Sequence, residues 1–302
     1  MKVLLTGGSG LIGTALRAEF ERRGDTTIRL VRPESARGGE TLAWDPASGS
    51  IDLEGLRAAG PFDAVVHLAG AGIADKRWSQ ARKVEIFNSR VQSTELLVSS
   101  FSELDQRPAA FVSGSAIGIY GSRADEELTE ASAPGTGFLA EVCEAWESAA
   151  VPAANLGVRT VLARTGIVLS AKGGALGRQL PLFRFGLGGR LGAGRQWFSW
   201  ISLDDEVNAL IACCTDERLE GPVNLTAPSP VTNAEFTRVL GATLHRPTLL
   251  SVPPFALRTA LGAELVDEAL LASQRVLPTA LEKAGFTFST PDLESALRSL
   301  FS

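Results

Sequence analysis

A glycine-rich turn follows the first apolar run of the chain, in the stretch VLLTGGSGLIG. Gly7, Gly10 and Gly13 stand three residues apart, between a β-branched and leucine-rich segment and a helical pattern. In that context one glycine permits a tight turn, the next lets the backbone approach a diphosphate, and the third lets the helix pack on the strand. The turn therefore predicts a dinucleotide site, with a plain structural turn as the alternative. The expected contacts are Gly7, Ser9, Gly10, Leu11, Ile12 and Gly13.

The type of dinucleotide depends on the end of the second strand. An acidic residue there would hold the ribose 2′-hydroxyl of NAD, but the chain has Val31 and Arg32, with Arg37 close behind. A guanidinium suits a 2′-phosphate and cannot accept a hydroxyl hydrogen bond. We therefore expect NADP(H) as cofactor, contacted by Val31 and Arg32. The alternative is that Arg32 is a solvated charge at the end of a strand.

The elements around these residues alternate between short β-branched runs and longer helical patterns. The strand-like runs are VLLT, TIRLV, TLAW, AVVHLA, AAFVSG and RTVLAR, and the helix-like segments are 11–23, 80–101 and 138–154. Alternation of this kind predicts parallel βαβ units, and hence an α/β fold with a Rossmann doubly wound parallel sheet. We expect a cofactor-binding domain over 1–169 and a smaller C-terminal α/β lobe over 170–302. The lobe packs on the first domain, and strands shared between the two are an alternative to separate sheets.

Composition excludes several classes of protein. The 302 residues carry a formal charge of −5 without a basic stripe, so nucleic acid is not an expected partner. The apolar runs are far shorter than a membrane span needs, and the N-terminal run is too short for a signal peptide. Three cysteines form no framework of paired spacings, and the two histidines, His67 and His245, have no neighbouring metal ligands. We expect a cytoplasmic protein with buried thiols and no metal site.

Several stretches together resemble the extended short-chain dehydrogenases/reductases, the group that includes nucleotide-sugar epimerases and dehydratases. They are DAVVHLAG, FVSGSAIGIYG and ISLDDEVNAL. The segments SRVQST, EVCEAWE and PVNLTAPSPVTNAEF resemble an atypical epimerase-like branch with a small C-terminal domain of unknown function. The resemblance covers nearly the whole chain. It implies further cofactor contacts at Leu68, Ala69 and Gly70 and, near the nicotinamide, at Val168.

One position of the resemblance carries an unusual charge. The relatives have an asparagine on the helix after the HLAG loop, and Arg90 takes its place here. The resemblance makes Arg90 a candidate for contact with a cofactor phosphate or an acidic substrate. A structural ion pair between helices is the alternative.

The reaction of the relatives requires a tyrosine and a lysine four residues apart, and this chain lacks both. Aligning Glu147 with the glutamate that follows the family's lysine puts Leu139 at the tyrosine position and Cys143 at the lysine position. No misalignment accounts for this, because Tyr120 is the only tyrosine and no lysine lies between Lys83 and Lys172. A buried, inert Cys143 is the simpler interpretation of that thiol.

Two residues remain as catalytic candidates, Ser115 and Tyr120. Tyr120 occupies the relatives' V-Y-G position, where a packing or substrate-contact role is favoured over proton donation. Ser115 is the nearest match to the family's hydroxyl, one residue further from the tyrosine than the pattern has it, and Ser113 is predicted to face the same way. In the second lobe, Arg195, Trp197 and Trp200 are candidates for the lining of a substrate pocket or, for the tryptophans, for core anchors.

Two functions from different classes follow from these residues. The first is an NADP(H)-dependent oxidoreductase of the atypical extended type, acting on an unknown small-molecule substrate as a monomer or homodimer. The second is a non-catalytic NADP(H)-binding regulatory or sensor module, which the missing tyrosine and lysine favour. The tryptophans and the arginine that the second lobe offers as a pocket lining favour the enzyme.

Overall fold

The computed structural model describes residues 1–301. These residues form sixteen strands and twelve helices. The strands are β1 (Lys2–Thr6), β2 (Thr26–Val31), β3 (Thr41–Asp45), β4 (Ser50–Ile51), β5 (Ala64–His67), β6 (Ala110–Ala116), β7 (Glu127–Leu128), β8 (Arg159–Thr165), β9 (Ile167–Leu169), β10 (Gly189–Leu191), β11 (Trp197–Phe198), β12 (Trp200–Ser202), β13 (Gly221–Leu225), β14 (Val231–Thr232), β15 (Leu250–Val252) and β16 (Arg275–Val276). The helices are α1 (Leu11–Arg22), α2 (Leu53–Ala59), α3 (Gln80–Phe101), α4 (Phe138–Ala150), α5 (Pro152–Asn155), α6 (Gly174–Arg184), α7 (Leu203–Thr215), α8 (Asn233–Thr243), α9 (Pro254–Leu261), α10 (Ala263–Leu265), α11 (Thr279–Lys283) and α12 (Leu293–Phe301).

Eight strands make one large sheet in the order β13-β8-β6-β5-β1-β2-β3-β4. All neighbours are parallel except β3 and β4. The predicted α/β fold with a doubly wound, mostly parallel sheet is confirmed. The order reverses between β1 and β5, and the carboxyl ends of these two strands border the crevice in which such sheets bind ligands.

Two apolar layers cover the two faces of the sheet. On one face the inward side chains of β1 and β5, such as Val3 and Val66, pack with Leu16 and Phe20 of α1 and with α7. On the other face Leu4 and Val65 pack with Leu97 and Phe101 of α3. Both faces are buried, which explains why these strands read as continuous apolar runs rather than alternating ones.

The C-terminal part of the chain packs around a third apolar cluster formed by α6, α8, α12 and Trp200 of β12. One strand from this part, β13, leaves the lobe and pairs in parallel with β8 at the edge of the large sheet. The predicted helix 138–154 is interrupted after Ala150, since Pro152 cannot donate the main-chain hydrogen bond that continues a helix. Within residues 1–301 no helix combines the length and the apolarity that a membrane crossing requires.

One carboxyl group is buried at the start of α7 without a charged partner. Glu206 is 0% exposed, its Oε1 accepts a hydrogen bond from Thr165 Oγ1 at 2.8 Å, and its Oε2 has no partner. Burial raises the pKa of the Glu206 carboxyl to about 8. The folded protein therefore holds a proton there at pH values where the unfolded chain has released it.

Because the pKa of the Glu206 carboxyl is raised in the folded state, we expect the protein to lose stability as pH rises. The free energy of unfolding should fall as pH rises from the ordinary glutamate value of 4.5 toward about 8, because the folded state must then bury a charge or keep the proton. Glu206→Gln keeps the shape and cannot ionise. Thermal melts between about pH 5 and about pH 9 should show the variant gaining stability relative to the parent as pH rises. A constant difference across this range would contradict the assignment.

Candidate functional site

The glycine turn between β1 and α1 leaves no room for side chains at two of its three positions. Gly7 has φ +69°, and a Cβ there would lie 2.6 Å from the Leu68 carbonyl. A Cβ on Gly13 would lie 2.3 Å from Gly7 O. At Gly10 the only neighbour is Gly7 O at 3.4 Å, so the space above this residue is open. Gly7 and Gly13 thus allow close contact of the turn with neighbouring main-chain atoms, whereas Gly10 faces open space.

The first turn of α1 presents unoccupied main-chain donors to that space. Gly10 is the N-cap residue and supplies no side-chain acceptor, and the first turn contains no acidic residue. Ser9 and Gly10 are exposed, and Leu11 and Ile12 are half-buried. Free N–H groups and the positive end of the helix dipole at the N-terminus of a three-turn helix are suited to an anion such as a diphosphate.

The hydroxyl of Thr6, at the end of β1, holds the neighbouring loop in place. Thr6 Oγ1 accepts hydrogen bonds from the main-chain N–H groups of Leu68 and Ala69, each at 3.2 Å. It also lies 2.7 Å from Nδ1 of His67, the last residue of β5. The two strand ends that border the crevice are therefore joined through one side chain.

His67 is a neutral structural residue. It is 0% exposed, and its Nε2 lies 3.0 Å from Ser93 Oγ on α3. Because Thr6 Oγ1 already accepts two N–H groups, it donates to Nδ1, which leaves the ring proton on Nε2 for Ser93. Burial, and then the charge of Arg90, lowers the pKa of His67 to about 3. His67 thus ties α3 to the sheet and carries no charge near neutral pH.

Arg32 lies at the carboxyl end of β2, where the sequence predicts the contact with the ribose. It is exposed, it precedes a short 3₁₀ turn (Pro33–Ser35), and no salt bridge to it is found in residues 1–301. Arg37 differs, because its Nη1 donates to the carbonyls of Glu34 and Ala36. Only Arg32 of this pair keeps its guanidinium free.

A second arginine of β2 lies beside the glycine turn, and it was not among the residues predicted from the sequence. The stem of Arg29 passes 3.3 Å from the position that a Cβ on Gly8 would occupy. Arg29 is half-buried, faces the same side of the sheet as Val31, and has no salt bridge in the described part of the chain. The available signal was a charged residue two positions before Val31 in an otherwise apolar run.

Arg90 of α3 lies under the loop that follows β5. Its Nη1 donates to the carbonyls of Ala71 and Ile86, each at 3.0 Å, and its Cζ lies 5.2 Å from the centre of the Trp146 ring. A Cβ on Gly70 would lie 3.2 Å from the same Cζ. Burial lowers the pKa of the guanidinium from its usual value. No carboxylate pairs with Arg90 among residues 1–301, so the alternative of a structural ion pair is wrong.

Leu139 and Cys143, aligned from the sequence with the relatives' tyrosine and lysine, lie on one face of α4. A Cβ on Gly118 would be 3.5 Å from Cβ of Leu139 and 3.7 Å from Sγ of Cys143. Burial raises the pKa of the Cys143 thiol to about 12. Cys143 is therefore a thiol at neutral pH and not a nucleophile, as expected from the sequence.

Ser115 and Tyr120 belong to one buried hydrogen-bonded network. Ser115 Oγ donates to Glu147 Oε1 at 2.6 Å, and Glu147 forms a bidentate ion pair with Arg164, at 2.8 Å for each contact. Arg164 Nη1 donates to Tyr120 Oη at 2.9 Å, and that hydroxyl donates to Asn224 Oδ1 at 2.7 Å. The network links β6, α4, β8 and β13 beneath the carboxyl edge of the sheet.

Tyr120 has no access to the crevice. Its side chain is 0% exposed and packs among Ile117, Leu128 and Val276. Burial raises the pKa of its phenol above the usual value. Tyr120 ends a 3₁₀ turn (Ile117–Tyr120) that follows β6. Ser113 is also buried, and its Oγ donates to the carbonyl of Gly114 at 3.3 Å.

The C-terminal part of the chain closes the other side of the crevice. A Cβ on Gly174, at the start of α6, would lie 3.3 Å from a methyl carbon of Leu11 and 3.6 Å from Val168 O. Val168 thus lies near the N-terminus of α1. Trp200 does not line a pocket, since it is 0% exposed and donates from Nε1 to Ser229 O. Arg195 is exposed, and Trp197 is half-buried with Arg275 over its ring.

Comparisons with known proteins agree with this architecture. Residues 3–225 match the model of the NAD dependent epimerase/dehydratase family, and residues 252–300 match a C-terminal domain of unknown function. The chain belongs to the NAD-dependent epimerase/dehydratase family. An epimerase family protein of Mycobacterium bovis is 48% identical over 295 residues, which cover 98% of this chain and 96% of that protein. The resemblance stated from the sequence is confirmed.

Solved structures extend the comparison to the fold. The human epimerase family protein SDR39U1, crystallised with NADPH, is 32% identical and superposes with a TM-score of 0.89, covering 99% of both chains. The bovine SDR39U1 is 35% identical over 303 residues, which cover 99% of both chains. This epimerase-family chain thus shares its fold over its whole length with a relative that was crystallised with NADPH.

The site residues fall into two groups in space. One group borders the crevice at the carboxyl ends of β1, β2 and β5. Its members are Gly7, Ser9, Gly10, Leu11, Ile12, Gly13, Val31, Arg32, Leu68, Ala69, Gly70, Arg90 and Val168. The other group, Ser115 and Tyr120, lies within the buried network. The sequence pattern did not reveal Arg164 and Asn224, which hold Tyr120, because they lie far from it along the chain.

We expect the Glu147–Arg164 pair to contribute to stability. Glu147→Gln leaves the Arg164 charge buried without its partner, and unfolding in urea should show a loss of about 3–5 kcal/mol. The control Ser115→Ala removes one hydrogen bond from the same carboxylate and should cost only about 1 kcal/mol. Equal losses in the two variants would show that the charge of Glu147 is not needed to hold Arg164.

Proposed function

We propose that this protein is an NADP(H)-dependent oxidoreductase of the atypical extended short-chain dehydrogenase type that acts on a small-molecule substrate. The observation that carries the proposal is the open glycine turn at the uncapped N-terminus of α1, with the unpaired Arg32 at the end of the adjacent strand. The NADPH in the crystal structure of human SDR39U1 supports the same cofactor here.

The residues around the crevice fit the parts of NADP(H) in order. The N–H groups of the Gly7–Gly13 turn would hold the diphosphate, and the Leu68–Gly70 backbone would pass the adenine ribose and continue along the diphosphate. Arg32 would bind the 2′-phosphate, with Val31 directly before it and Arg29 near the glycine turn. Val168 would border the nicotinamide. In this proposal residues 1–169 form the cofactor domain, and residues 170–302 bear on the substrate.

NADP(H), when bound, supplies or accepts a hydride at its nicotinamide ring. The chain's own contribution is to bind and orient the two reactants and to exclude water from between them. Tyr120 donates its proton to Asn224 and accepts from Arg164, so we assign it a supporting role. Ser115 is 5% exposed and remains the candidate for contact with the substrate.

A second function, from a different class, is a non-catalytic NADP(H)-binding module that reports the cofactor's state to a partner. The observation in its favour is that Leu139 and Cys143 replace the acid–base pair of the relatives, while Tyr120 is held away from the crevice. Both functions require the same cofactor site. They differ in whether any substrate is turned over.

Cofactor preference is the first test. Arg32→Ala removes the free guanidinium at the end of β2, and its NADPH affinity should fall by about tenfold to a hundredfold while NADH affinity stays unchanged. Arg37→Ala is the matched control, because the Arg37 guanidinium is already bonded to main-chain carbonyls. Titration calorimetry measures the dissociation constants for NADPH and NADH. Equal affinities of the parent for NADPH and NADH would contradict the choice of NADP(H).

Turnover is the second test, and it separates the two functions. A screen of aldehydes, ketones and quinones for NADPH oxidation should find a substrate if the protein is an enzyme. Gly10→Val fills the open space at the turn and should abolish that turnover without unfolding the protein. Tyr120→Phe should lower it by less than the roughly 10²-fold typical of a lost general acid. Absence of turnover favours the module, and a larger loss would make Tyr120 the proton donor.

A further inference from the structure

The positive charge of Arg90 has no anionic partner within the described chain. Both of its hydrogen bonds are made by Nη1 to main-chain carbonyls, and its Cζ lies 5.2 Å from the centre of the Trp146 ring. A guanidinium largely removed from water is costly unless something outside these contacts compensates for it. The surroundings of Arg90 therefore hold the side chain in position but supply no negative charge to pair with its guanidinium.

The position of Arg90 relates it to the missing lysine. Trp146, on which the guanidinium lies, follows Cys143 by three residues and occupies the same face of α4. On its other side the guanidinium lies close to Gly70, in the loop after β5, where a Cβ would be 3.2 Å from Arg90 Cζ. Arg90 is thus held between the cofactor loop and the stretch of helix where the relatives carry their cation.

We propose that Arg90 replaces the family's lysine as the cation at the nicotinamide end of the cofactor, reaching it from α3 rather than α4. Its free N–H groups would donate to the hydroxyls of the nicotinamide ribose, which is the binding part of the lysine's role. The neutral Cys143 then needs only to fill space. This inference rests on the proposed NADP(H) site, and it assigns Arg90 to one half of the cofactor.

The protein's own architecture explains why the charge moved. A lysine at position 143 would lie in an apolar cluster with Ile117, Ile119 and Val276, where Cys143 is 4% exposed. Arg90 keeps its charge near the loop edge instead, against an aromatic ring that favours a guanidinium.

The test compares two probes, NADPH and 2′,5′-ADP, which contains the adenosine half of the cofactor alone. Arg90→Met keeps much of the stem and removes the charge. Its NADPH affinity should fall by about tenfold or more, while its affinity for 2′,5′-ADP stays unchanged. Arg90→Lys should retain most of the NADPH affinity. Arg32→Ala is the matched control, because it should weaken both probes.

Circular dichroism and melting temperature verify the fold of each variant. If Arg90→Met does not fold, Arg90→Gln makes the same comparison. An unchanged NADPH affinity, or an equal loss for both probes, would overturn the role of Arg90. A parent protein that binds 2′,5′-ADP and not NADPH would also overturn it, and one that binds neither would instead overturn the proposed cofactor.

Discussion

The crevice depends on the hydroxyl of Thr6. This one group accepts two main-chain N–H groups from the loop after β5 and bonds to His67, so it fixes the ends of β1 and β5 relative to each other. Gly7 follows it directly and packs against the Leu68 carbonyl at a distance that admits no side chain. If the hydroxyl were lost, the Ala69 N–H and the imidazole Nδ1 would lose this partner, and the Leu68 N–H would keep only its 3.4 Å contact with the Thr6 carbonyl. The glycine turn and the loop that carries Gly70 are therefore held by one hydrogen-bonded centre.

A second centre is the buried Glu147–Arg164 ion pair, which takes in the two residues that the sequence offered as catalytic candidates. Ser115 and Tyr120 each contribute a hydroxyl to it, and both hydroxyls are directed at protein atoms. Buried ion pairs repay the cost of desolvation only when the remaining donors and acceptors are satisfied, which these two residues help to achieve. Both hydroxyls thus help to satisfy the buried ion pair and its neighbours.

Local patterns predicted the fold well because the central strands are buried on both faces and read as continuous apolar runs. The bounds of α3 agree with the pattern, since Ser79 caps its first turn and an apolar face continues to Phe101. Long-range partners were not predictable in this way. The phenol of Tyr120 is held by Arg164 and Asn224. Arg29 of β2 became a candidate only because its side chain lies beside Gly8, in the turn after β1. Such contacts depend on register, which a single sequence does not specify.

The addition of β13, from the C-terminal part of the chain, to the edge of the large sheet has a consequence for biosynthesis. β8 lies at the edge of the sheet until Gly221–Leu225 pairs with it, and the match to the epimerase family ends at the same residue, 225. While the ribosome makes the intervening segment, β8 presents unpaired main-chain groups and apolar side chains to the cell. A nascent chain stalled before this segment emerges from the ribosome would be aggregation-prone and a substrate for holding chaperones, and the sheet can be completed once Gly221–Leu225 is free to pair.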